Sequence, residues 1–278
     1  MHAKVLSFMK NLDRMKGTLI IFLGITLTLL SACSSPSGEN PKAENIEKKE
    51  VKQEAQKPEQ KAAEKKLARP RIGQVKEFFL EYGKNNPETE VLLMTRLGDI
   101  KIRLYEETPI HRANFIYNIK EELYHQTIFY RVVPKFMIQG GNSDYDQTLE
   151  KREEAGSYYI PNESQQELIH KRGTIAMAMS YDDNPELKSA QYSYYIVIGT
   201  PFSDNGLDAV EKEYEITIPE SSREVYRTEG GTPHLDGVHT VFGEVIEGMD
   251  VVEAISNEKR DSGDWPVNDV IIDYKVLK

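Results

Sequence analysis

The chain has 278 residues, with 39% hydrophobic and 29% charged, which fits one or two globular domains plus an unstructured portion. Its single cysteine excludes an intrachain disulfide. Residues 1–72 hold 14 Lys/Arg against 8 Asp/Glu, whereas the other 206 carry 21 against 37. A part so acidic is repelled by a phosphate backbone, so nucleic acid is excluded as a partner.

Residues 17–30, GTLIIFLGITLTLL, form an apolar run behind Lys10, Arg14 and Lys16. The run is short of the roughly 20 residues a spanning helix needs and has the length of a signal-peptide core behind a basic flank. It ends Leu30-Ser31-Ala32-Cys33, which resembles the bacterial lipobox, where cleavage precedes an acylated cysteine. The expectation is therefore a lipoprotein signal peptide over 1–32, with Met9 and Met15 as alternative starts, and Cys33 as the lipidation site. Acyl chains on Cys33 would anchor the protein extracytoplasmically in the cell envelope. Ser35, rather than Asp, two positions on favours the outer membrane, facing the periplasm. Residues 33–71 are rich in Lys, Glu, Gln, Ala and Pro with no apolar face, which predicts a disordered tether.

Order is expected from Ile72, with a short helical lead-in over 72–89 using Val75, Phe78, Phe79 and Tyr82. EVLLMTRLGDIKIRLYEE reads as a β-hairpin turning at Gly98-Asp99. Thr108-Pro109 starts a helix as N-cap and first-turn proline, with Ala113, Phe115, Ile116 and Ile119 on one stripe. Short β-rich runs follow at 127–133, 173–179, 194–199, 240–248 and 269–277, with a helix from Met249 to Ser256. Many short strands without a β–α–β rhythm predict an antiparallel barrel.

The segment from Phe129 to Asn142, FYRVVPKFMIQGGN, carries the chemistry. Strand alternation over 127–133 sends Tyr130 and Val132 to one side and Arg131 and Val133 to the other. A guanidinium beside Phe136, Met137 and Gln139 makes an apolar pocket with one fixed cation. The segment resembles the cyclophilin signature F-x-R-V-x-P-x-F-M-x-Q-G-G. GTIAMAMS, SAQYSYYIVIG (189–199) and HLDGVHTVFGEVIEGMDVVEAI resemble further cyclophilin motifs in the family's order, so the likeness covers residues 90–278.

That resemblance implies a closed antiparallel eight-stranded barrel capped by two helices, with peptidyl-prolyl cis-trans isomerase activity on proline-containing polypeptides. It implies no cofactor and no metal, and a monomer is expected. Arg131 and Gln139 take the catalytic positions, the first as the donor to the prolyl nitrogen. Phe136, Met137, Tyr195 and Leu235 line the proline pocket, with His239 at its edge. The backbone of Ala178 and Met179 binds the substrate peptide. Ser193 stands where a glutamine usually contacts that peptide, so one substrate hydrogen bond is weaker or bridged by water. His234 stands where cyclosporin-sensitive members have tryptophan, which implies weak cyclosporin A binding. A non-catalytic binding module, or holdase chaperone, on the same scaffold is the rival reading.

The family's short loop after Gly199 is here an insertion over 200–233. Leu207, Val210 and Tyr214 share one helical face within it. Its ends attach beside Tyr195 and Leu235, so it is expected to act as a flap over the pocket. Gly230-Gly231-Thr232 lacks a P-loop lysine, His234 and His239 have no metal-ligand spacing, and Ser203 has no hydrolase context.

Overall fold

A computed structural model describes residues 67–278. The apolar run, Cys33 and the tether through Lys66 lie outside the described residues. Among the described residues, packing against the folded part is present from Leu67, before the expected Ile72. Tyr117 Oη donates to Ala68 O at 3.0 Å, and Arg69 Nη1 donates to Glu154 O at 2.9 Å. Leu67 packs on the core beside them.

The described residues form eight strands: β1 (Glu90–Thr95), β2 (Gly98–Leu104), β3 (Thr127–Val133), β4 (Met137–Asn142), β5 (Thr174–Met177), β6 (Tyr194–Val197), β7 (Val241–Glu247) and β8 (Val270–Val276). They close into the expected antiparallel barrel in the order β1-β2-β7-β5-β6-β4-β3-β8. The first hairpin turns at Arg96-Leu97, not Gly98-Asp99, because Thr95 pairs directly with Gly98 and leaves two residues for the loop. Strand β4 was not among the runs read from the sequence, since Gly140-Gly141 interrupts its β-forming residues. Gly141 has φ +100°, and a Cβ there would meet Tyr192 O at 2.2 Å. The motif glycine is thus a close backbone approach that no side chain permits.

Six helices accompany the barrel among the described residues. Helix α1 (Val75–Asn85) sets Phe79 against α2 (Pro109–Lys120), and Phe115 and Ile116 of α2 are fully buried in the barrel core. Helix α6 (Met249–Ser256) inserts Val252 and Ile255 from the end where β2 begins. These two, α2 and α6, are the capping helices. Thr108 occupies the N-cap position of α2, but its side chain makes no capping bond. The Glu163 carboxylate does so from a distant loop, accepting from Ile110 N at 3.0 Å and His111 N at 2.9 Å. A carboxylate there also complements the helix dipole. Helix α3 (Asp146–Ala155) has no apolar stripe to betray it and is nearly all polar in sequence.

The insertion forms α4 (Asp204–Tyr214) and α5 (Glu220–Thr228), followed by a 3-10 turn at Pro233–Leu235. Ser203 caps α4 by accepting from Gly206 N at 3.2 Å. The insertion's two legs cross at its base, where Thr200 bridges Gly231. Gly231 has φ +146°, and a Cβ there would lie 2.2 Å from His170 O. We expect Gly231→Ala to cost about 3 kcal/mol or more in urea denaturation, from steric overlap and a strained backbone. A loss below about 1 kcal/mol would mean that the crossing relaxes freely.

Candidate active site on the outer face of the barrel

One row of register partners defines the site. Val132, Ile138, Ile196 and Ile175 pair successively across β3, β4, β6 and β5 and point into the barrel core. The adjacent row, Arg131, Gln139, Tyr195, Ala176 and Val241, therefore faces outward. An outward row is ordinarily polar. Here it carries a second apolar cluster, in which Met137, Ala176, Tyr195, Val197, Leu235 and Val241 are buried against Phe136 and Ala178. The sequence-predicted Phe136, Met137, Tyr195 and Leu235 thus meet on one surface.

Arg131 is half-exposed at the end of this row, its side chain 39% accessible. Its Nε lies 3.7 Å from Asp264 Oδ2, and Asp264 O in turn accepts from Val132 N at 2.9 Å. The loop before β8 thus holds a carboxylate against the guanidinium. Nothing in the local sequence around Asp264 signals this, because the contact spans distant segments.

Gln139 Nε2 donates to Ser193 Oγ at 3.1 Å, and Ser193 Oγ also bonds Tyr130 Oη at 2.5 Å. Strict alternation would put Tyr130 on the core side with Val132. A β-bulge corrects that expectation: the register slips between Phe129 and Arg131, so Tyr130 sits on the same outer side as Arg131. Ser193 is consequently occupied by two side chains.

Ala178 also departs from expectation. Its N–H donates to Ser193 O at 2.9 Å and its carbonyl accepts from Ala190 N at 2.7 Å. Both backbone groups expected to hold substrate are already paired within the chain, because the segment past β5 continues a short ladder with residues 190–193. Met179 lies just beyond, its Sδ 3.8 Å from Asn184 Nδ2.

His239 is buried in the cluster wall with its ring 5.5 Å from that of Tyr195, edge to face. Burial, reinforced by the nearby His170, lowers its pKa to about 3, so it is neutral near pH 7. Nδ1–H donates to Met177 O at 3.2 Å, which leaves Nε2 to accept from Tyr181 Oη at 2.6 Å. Below the pocket, Tyr195 Oη and His170 Nε2 share a hydrogen bond at 3.1 Å, and His170 Nδ1–H donates to Asp236 Oδ1 at 2.9 Å. Sequence reading did not single out His170 as a site residue. Among the described residues no group of three or more His, Cys, Asp or Glu could hold a metal ion.

Comparisons with known proteins agree with this architecture. Residues 90–276 match the family described as cyclophilin type peptidyl-prolyl cis-trans isomerase/CLD. A peptidyl-prolyl cis-trans isomerase of Acinetobacter baylyi is 35% identical over 170 residues, covering 61% of this chain and 72% of that protein. A Staphylococcus haemolyticus relative named for the same activity is 32% identical over 187 residues, covering 67% of this chain and 89% of its own length. A crystal structure of a cyclophilin type isomerase from Cryptosporidium parvum shares the fold, at 21% identity and a TM-score of 0.50, over 69% of this chain and 98% of that one. With barrel, motif row and family match in agreement, the chain belongs to the cyclophilin-type peptidyl-prolyl cis-trans isomerases.

Proposed function

We propose that this chain accelerates X-Pro isomerisation in exported or envelope proteins, with Arg131 stabilising the twisted imide. The reading rests on one observation: a half-exposed guanidinium ends an outward row in which Tyr195, Ala176 and Val241 belong to a buried apolar cluster. The uncatalysed barrier is about 18–20 kcal/mol because the C–N bond has partial double-bond character. Twisting that bond localises a lone pair on the prolyl nitrogen, which is available to a donor only in the twisted state. A donor fixed beside a proline slot therefore binds the transition state better than either ground state. No bond is broken and no proton is abstracted.

In this reading Phe136, Met137, Tyr195 and Leu235 hold the proline ring. Gln139 orients the peptide or the guanidinium, and His239 closes the edge as a neutral ring. Because Ala178 is internally paired, substrate hydrogen bonds fall to Met179 and to side chains on this face. The direct test is a protease-coupled proline-tetrapeptide assay, and a slow phase unchanged by micromolar protein would refute the activity.

The envelope location rests on the basic-flanked apolar run and on Leu30-Ser31-Ala32-Cys33. Cells expressing the protein should incorporate labelled palmitate into it, and Cys33→Ser should abolish that label and release the protein from membranes. Labelling that persists in Cys33→Ser would overturn the anchor.

A further inference from the structure

We infer that the insertion is a substrate-selecting wall, in which Tyr214 extends the proline pocket into a subsite for a large apolar or aromatic side chain next to the proline. The inference rests on the active-site reading above and deepens it. Two independent connections join the insertion to the pocket.

The first is a row of near-parallel rings. His234 lies 6.2 Å from Phe136 at an interplanar angle of 21°, and Tyr214 of α4 lies 4.7 Å from His234 at 23°. The pocket residue Phe136 thus continues through His234 onto the insertion helix. Burial lowers the His234 pKa to about 4, so the middle ring is uncharged near pH 7. Stacked neutral rings turn their C–H edges outward, and such edges attract the face of another aromatic ring.

The second connection is polar. Tyr226 of α5 donates its O–H to Asp236 Oδ2 at 2.6 Å, while Asp236 Oδ1 accepts from His170 N at 2.8 Å and from His170 Nδ1 at 2.9 Å. His170 reaches the pocket phenol of Tyr195 at 3.1 Å. Asp236 directly follows the pocket residue Leu235. The position of α5 is therefore tied to the pocket floor through one unbroken chain of hydrogen bonds.

The wall is also built to hold its shape. Leu207, Ile218 and Tyr226 are buried in a small core of the insertion's own, against Ile169. Arg223 joins the two helices through Asp208 at 2.6 Å and Glu211 at 3.0 Å. A loose loop would show neither feature.

The test uses proline tetrapeptides with Gly, Leu or Phe on either side of the proline, with kcat and KM from the protease-coupled assay and Kd from calorimetry. Wild type should favour a Phe neighbour over Gly by about tenfold, carried by KM and Kd, from one additional aromatic contact. Tyr214→Ala should bring that ratio within about twofold. Tyr226→Phe keeps the ring packing and loses only the bond to Asp236, so it should lower the ratio part-way while the circular-dichroism spectrum shows the protein still folded. An unaltered ratio in Tyr214→Ala, or no preference in wild type, overturns the wall. Calorimetry on Arg131→Ala separates the two readings: a retained Phe preference in Kd supports the wall even if turnover shows the active-site reading to be wrong.

Discussion

Arg131→Ala is expected to lower kcat/KM for X-Pro isomerisation by about 100- to 1,000-fold, while the melting temperature stays within about 2 °C of wild type. The two expectations separate because the side chain is 39% accessible and its ion pair with Asp264 is 3.7 Å long. An exposed pair of that kind contributes about 0–1 kcal/mol to folding. In the proposed mechanism, by contrast, the guanidinium meets in the transition state a nitrogen lone pair that neither planar ground state offers. Arg131→Lys should recover little, because an ammonium lacks the planar fork that can hold Asp264 with one edge and donate with the other. Asp264→Asn should lower kcat by about tenfold or less with KM nearly constant, as expected of a positioning residue. Its effect should vanish in the Arg131→Ala background, since the two act as a unit. The protease-coupled assay reads all four variants. If Arg131→Ala keeps more than about half of the wild-type rate, the donor assignment is wrong. Suppression of client aggregation unaffected by the substitution, with no isomerisation in wild type, would instead support the holdase reading.

Lowering the pH from 7 to 5 should remove about 4 kcal/mol of folding stability through His234 and His239 together. Burial is the main cause of both depressed pKa values, about 4 and about 3, with His170 adding to each. Asp236 opposes the shift at His234, and the Met177 carbonyl opposes it at His239. The unfolded chain has ordinary imidazoles near pH 6.5. Between pH 6.5 and about 4 the unfolded state binds protons that the folded state refuses, so stability rises with pH across that window. It is complete above about 6.5 and is lost as the medium acidifies, at about 2 kcal/mol per histidine by pH 5. Urea denaturation at pH 7 and pH 5 measures the difference. His239→Gln should be less stable than wild type at pH 7 yet have about half the pH-dependent loss. Equal slopes in wild type and in the double variant His234→Gln/His239→Gln would show that other groups carry the acid sensitivity.

The sequence by itself determined the antiparallel barrel through local pattern, and its resemblance to the cyclophilin motifs pointed to the residues of the outer face. Alternation at Ile100, Ile102 and Leu104 marks a strand, and the Phe129–Asn142 motif keeps Arg131, Phe136, Met137 and Gln139 on one short segment, whereas their register is set by the pairing of β3 with β4. It also marked α4, through Leu207, Val210 and Tyr214 on one face. What only the tertiary structure decided depends on partners far away in the chain. The bulge that turns Tyr130 outward appears when β3 must pair with β4, and Ala178 loses its free backbone groups when residues 190–193 fold against it. Glu163 replaces the Thr108 side chain as the cap of α2, and Asp264 reaches Arg131 from the loop before β8. Helix α3 and strand β4 went unseen because one lacks an apolar stripe and the other contains Gly140-Gly141. Patterning records what each segment must bury against the core, whereas hydrogen bonds and ion pairs between remote segments leave no periodic trace and exist only once the chain has folded.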